Sequence, residues 1–147
     1  MSLLTTNRSG LNVGFTKKGS KEDGTDGAHK LSFRVVKGIK SATQGRPVTT
    51  GTQDVARSLN NASNIRIKTE RGNRILDERR DKRIVNAYQN GTNIHEKTTA
   101  KRAIQAYKGG LAASKNPTIA SVTKSIGEMQ VKTDGGKGRP TKIKNLI

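Results

Sequence analysis

The sequence predicts a mainly α protein with short strands, an α+β fold in which a small helical bundle is flanked by extended, basic, Gly-rich arms. Apolar residues recur at three- and four-residue spacing between residues 52 and 129, the period of a helix with one buried face. A shorter stretch around 30–40 alternates instead, the period of a half-buried strand. The ends are rich in Gly and Lys and poor in apolar side chains, and only 30% of the 147 residues are hydrophobic. The expected organisation is a basic Gly-rich arm over 1–50 with one strand near 30–40, a small helical domain over 51–130, and a basic C-terminal tail over 131–147.

Residues 1–28 are punctuated by Gly10, Gly14, Gly19, Gly24 and Gly27, with Lys17, Lys18 and Lys21 between them. Such a segment buries too little apolar surface to offset its ordering entropy, so it is expected to be disordered alone or held by a partner. Leu31, Phe33, Val35 and Ile39 then fall on one side of an alternation, with Lys30, Arg34 and Lys40 on the other. That pattern predicts a strand with a basic outer face. Ile65-Arg66-Ile67-Lys68 and Lys142-Ile143-Lys144 echo it. Paired, these strands would present a row of Lys and Arg; lysines on short strands equally serve to protect sheet edges.

The helices follow. Val55, Leu59 and Ala62 predict a short one starting near Thr52. The stretch Asn73 to Tyr88 has Asn73 as a cap, Asp77 and Glu78 early, and a left-handed stop at Asn90-Gly91. The next helix is expected to take Asn93 as cap with Glu96 three residues on. Its apolar face would be Ala100, Ala103, Ile104, Tyr107 and Leu111, with Gly109-Gly110 ending or breaking it. The last helix has Asn116 as cap and Pro117 at its first position, and Ile119, Val122, Ile126 and Met129 share one face.

Charge bounds the function. With 29 Lys and Arg against 11 Asp and Glu, the chain carries +18, spread over all its segments. Such a charge repels itself unless a polyanion supplies the balance. A membrane-surface helix would join it to an apolar face with Trp or Phe, and there is no Trp. No apolar run approaches the roughly 20 residues of a membrane span. The opening residues Met1 to Thr6 lack the apolar core of a secretory signal. The absence of Cys excludes disulfides and thiolate chemistry. His29 and His95 stand far apart, so no metal site is expected, and neither a phosphate loop nor a nucleophile elbow is present. No enzyme, cofactor or small-molecule substrate is expected.

The densest charge run is Arg79-Arg80-Asp81-Lys82-Arg83. On a helix Glu78 faces Lys82, Asp77 faces Asp81 and Arg79 faces Arg83, so the run partly neutralises itself. It reads either as a salt-bridged exposed face or as a phosphate grip by the excess arginines. Catalysis by Asp77 and Asp81 is disfavoured, because surrounding arginines hold carboxylates ionised.

Near the C-terminus, Lys137-Gly138-Arg139-Pro140 resembles the core of an AT-hook, a short Gly-Arg-Pro element flanked by basic residues. The resemblance implies an extended backbone in the narrow minor groove of A·T-rich DNA, with Arg139 reaching in. Gly45-Arg46-Pro47 repeats the tripeptide without a preceding basic residue. Gly-Arg-Pro also makes ordinary turns. A helix-turn-helix drawn from 94–108 and 117–129 would need a connection longer than that motif's three or four residues.

The expectation is therefore a non-enzymatic basic structural protein. It would bind DNA or RNA phosphates largely without regard to sequence, inside a large nucleoprotein assembly with other protein subunits. The contact residues would be Arg66, Lys68, Arg79, Arg80, Lys82, Arg83, Lys137, Arg139, Lys142 and Lys144. One alternative is a minor virion or cement-type protein whose arms thread between acidic subunits; another is a sequence-specific DNA-binding regulator. The place would be intracellular, or within a virion or nucleoprotein particle.

Overall fold

A computed structural model describes residues 3–6, 12–16, 25–44, 52–69, 75–132 and 138–147. The chain is mainly helical with short antiparallel strand pairs. Strands β1 (Leu3–Thr6) and β2 (Asn12–Thr16) pair with each other, β3 (Thr25–His29) pairs with β4 (Ile65–Thr69), and β5 (Gln130–Val131) pairs with β6 (Thr141–Lys142). The helices are α1 (Phe33–Gln44), α2 (Thr52–Leu59), α3 (Asp77–Asn90), α4 (Lys97–Ala112) and α5 (Pro117–Glu128). Helix α1 packs on α3 and α5, and α4 packs on the same two, so the four close a ring around the core.

The strand expected near 30–40 is a helix. Phe33 to Ile39 alternates only as far as Val35; Val35, Val36 and Ile39 are all buried at helical spacing, and Arg34 and Lys37 are exposed. Ser32 caps the helix by accepting from the Val35 amide at 3.3 Å. The β-branched valines lose some helix propensity, which their full burial outweighs. Of the other two expected strands, Ile65 to Lys68 forms within β4, but at Lys142-Ile143-Lys144 only Lys142 is extended, because Ile143–Leu146 winds into a 3-10 turn that buries Ile143; the two segments do not pair with each other. Ile65 lies opposite His29, and Lys142 lies opposite Gln130.

The core crosses both expected boundaries, at 50/51 and at 130/131. Leu31, Val35 and Ile39 from one side, and Val131 and Ile143 from the other, join Leu59, Ile84, Ile119 and Ile126 in one buried cluster. Residues 138–147 are thus held on the body, and part of the expected N-terminal arm is paired as β1–β2 and β3–β4. Expectations resting on Asn73, on Gly45-Arg46-Pro47 and on Lys137 lie outside the described residues.

Helix ends follow the sequence at two places. Gly91, at φ 64°, stops α3 in the left-handed region. Asn116 accepts from the Thr118 and Ile119 amides and caps α5, with Pro117 in the first turn; Ile119, Val122, Ile126 and Met129 are buried as expected.

Helix α4 departs from expectation. It starts after Glu96 rather than Asn93, and runs through Gly109 and Gly110 to Ala112. Both glycines are buried at close approaches: a Cβ on Gly109 would strike Asn64 Oδ1 and the Leu31 amide nitrogen, and one on Gly110 would strike Thr123 of α5. The buried face is made of Ala100, Ala103, Ala106 and these glycines, while Leu111 is exposed and Ile104 and Tyr107 are half-buried. A helix squeezed between neighbours selects small residues, so choosing the largest apolar ones rotates the face.

Asn64 ties these parts together. Its amide nitrogen donates to the Leu31 and Leu59 carbonyls at 3.1 and 2.9 Å, and its carbonyl accepts from the Leu31 amide at 2.8 Å. A buried amide is tolerated because its hydrogen bonds are made.

Candidate functional site

The charge run on α3 is where sequence and structure part most instructively. Asp77 and Asp81, one turn apart, are buried rather than on an exposed face. Asp81 accepts from Ser32 Oγ at 2.8 Å, Arg102 Nε at 2.9 Å and Arg34 Nη2 at 3.2 Å, which joins α3, α4 and the start of α1. Arg102 is only 4% exposed and also donates to the His29 carbonyl and to Gln105 Oε1. Asp77 holds Arg66 Nη2 at 2.7 Å and Arg80 Nη1 at 3.5 Å. His29 Nε2 donates to Asn60 Oδ1 at 3.1 Å, and burial pushes the imidazole pKa below 6.5, helped by the nearby Arg102.

Every described carboxylate side chain has a cationic partner. Besides Asp77 and Asp81, Asp54 faces Arg57, Glu78 faces Lys82 at 3.8 Å, Glu96 receives Arg83 on both oxygens, and Glu128 receives Lys142 and Lys144. The Thr98 hydroxyl bond, with Arg83 nearby, lowers the Glu96 pKa, and the two lysine bonds take Glu128 to about 2.

Eight of the ten expected contact residues separate into two groups. Arg66, Arg80, Lys82, Arg83, Lys142 and Lys144 each hold a carboxylate of their own chain. Arg79 and Arg139 are exposed and without a carboxylate partner among the described residues. Lys68 stands in β4 opposite Asp26, and Lys137 lies outside the described residues. Gly138, at φ 76°, turns the chain before Arg139, and Thr141 and Lys142 are already paired with β5. The AT-hook-like element is thereby anchored on its C-terminal side.

The sequence reading missed the free cations of α4. Lys97, Lys101 and Lys108 are exposed and unpaired among the described residues, and they lie within about 40° of one another around the helix axis. Lys37 on α1, Lys124 on α5 and Lys115 between helices are likewise exposed and unpaired. The i, i+4, i+11 spacing was the available signal; it lacks the density that draws attention to 79–83. A cleft of about 210 Å³ opens between α3 and α4, lined by Asp77, Arg80, Thr98, Lys101, Arg102 and Gln105.

Because α4 runs to Ala112, only residues 113–116 separate it from α5. The long connection that argued against a helix-turn-helix is absent; four residues is within that motif's range. No helix among the described residues is long and apolar enough to cross a membrane, and they hold no group of three metal-ligating side chains.

No family model, no curated protein and no solved structure matches this chain.

Proposed function

We propose that this is a non-enzymatic basic structural protein that binds nucleic-acid phosphates, largely independently of sequence, inside a large nucleoprotein assembly. One observation carries the reading: the described carboxylates are all matched by their own cations, and exposed lysines and arginines are left over on several helices. Those surplus charges, with the +18 of the chain, are available to phosphates and release counterions when they bind. The internally paired arginines serve the fold. The glycine- and lysine-rich N-terminal sequence supplies further cations to the same polyanion.

The short turn between α4 and α5 favours a second reading, a sequence-specific DNA regulator. Exposed Ser121 and Lys124 on α5 are the side chains such a helix would offer to a major groove. Competition between unrelated duplexes separates the two. Equal competition by all sequences, and by duplex RNA, supports phosphate binding. A preference of a hundredfold or more for one DNA sequence supports the regulator. Failure of every nucleic acid to bind overturns both, and leaves acidic protein subunits as the source of counter-charge.

A further inference from the structure

Among the described residues, the cluster at the α3–α4 cleft holds more cations than carboxylates: Arg34, Arg66, Arg80 and Arg102 pair with Asp77 and Asp81, and Lys101 stands at the rim. Arg66 Nε is buried with no hydrogen-bond partner among the described residues, so the acceptors these residues supply do not satisfy even the donors already inside. A partly buried surplus of positive charge is costly until an anion arrives.

We propose that this cleft seats one phosphodiester group of a nucleic-acid backbone, held by Arg80, Lys101 and Gln105; the proposal rests on the nucleic-acid reading above. Lys101 contributes an exposed ammonium without a carboxylate partner among the described residues. Arg80 is bound to Asp77 only at 3.5 Å through Nη1, which leaves the rest of its guanidinium to turn outward. Gln105 gives its carbonyl to Arg102, so its amide NH₂ is the group left to donate. The facing carboxylate, Asp77, is itself 1% exposed and held by Arg66 at 2.7 Å, which turns its charge into the protein. At about 210 Å³ the cleft is below the roughly 300–1,000 Å³ of sites that enclose whole small molecules. It suits a single charged group projecting from a larger chain. The neighbouring cleft at His95, of about 250 Å³, lacks this chemistry because its cation, Arg83, is held by both oxygens of Glu96.

The test uses the full chain, a random-sequence DNA duplex, and the variants Lys101→Gln and Lys37→Gln. Both remove one exposed, unpaired charge, so neither is expected to unfold the protein. If the cleft seats a phosphate, Lys101→Gln weakens binding about tenfold. It also makes the log–log salt slope shallower by about one, while Lys37→Gln costs only about twofold. Equal losses for the two variants overturn the cleft and leave general phosphate binding standing. Wild-type protein that binds no duplex at low salt overturns both together.

Discussion

Replacing Asp81 by Asn is the sharpest test of how the fold is held. The substitution keeps the shape and removes the charge that Arg102, at 4% exposed, and Arg34 share. Arg34 is 40% exposed and can turn to water, but Arg102 cannot. Breaking a buried pair by removing one partner leaves an uncompensated charge and costs about 3–5 kcal/mol. For a chain of this size each kcal/mol moves the melting temperature by about 3 °C, so D81N is expected to melt roughly 10–15 °C lower. The exposed pair offers the contrast: Asp54 and Arg57 are each 73% exposed, and D54N should change stability by less than about 0.5 kcal/mol. Adding Arg102→Met to D81N removes the orphaned charge and should recover about 2 kcal/mol or more, a non-additivity read from a double-mutant cycle. Thermal and urea unfolding of the wild type, D81N, R102M, the double variant and D54N measure these differences. A D81N variant within 1 kcal/mol of the wild type, or additive losses in the double variant, would refute the assignment of Asp81 as the junction of the helices.

Other consequences are as definite. Gly109→Ala should destabilise by about 1–3 kcal/mol despite alanine's better helix propensity, since its Cβ meets the Asn64 and Leu31 knot; urea unfolding that shows stabilisation contradicts that packing. His29 is held neutral by burial, with its folded pKa below 6.5. Full stability is therefore present above pH 6.5 and is lost as the pH falls below it and the unfolded chain takes up the proton first. His29→Gln should flatten that part of the pH–stability curve, and an unchanged curve would assign the titration elsewhere. Glu128, at about 2 against 4.5 when free, keeps its lysine contacts down to strongly acid pH; their contribution fades as pH falls from about 4.5 through 2. Glu128→Gln should speed hydrogen exchange over residues 139–147 at neutral pH, and equal exchange rates would show that Ile143 burial alone anchors the segment.

What the sequence discloses depends on whether a signal is local. The α5 cap at Asn116, its Pro117 and its apolar face are set by side chains within a few residues, and so is the Gly91 stop of α3. All are legible in one dimension. The α1 segment misleads because Leu31, Phe33 and Val35 satisfy a two-residue period just before Val36 and Ile39 set the helical one. Asp81 and Arg102 lie 21 residues apart, and Arg34 lies 47 from Asp81, so no local rule could join them. The dense run at 79–83 drew attention for its charge, yet much of that charge is spent on the fold. The sparser lysines of α4 remain available because none of them makes an ion pair among the described residues. A glycine pair likewise has two meanings, helix end or close helix contact, and only the position of Asn64 and Thr123 decides between them.

The central claim, that surplus cations bind nucleic-acid phosphates without reading sequence, is tested most directly by a salt series. Affinity for random-sequence duplex, measured between about 50 and 200 mM salt, should fall with a log–log slope of about −4 or steeper, the release of some five counterions. The slope should be the same for duplexes of unrelated sequence. A slope near zero, or no binding at the lowest salt, would contradict the account.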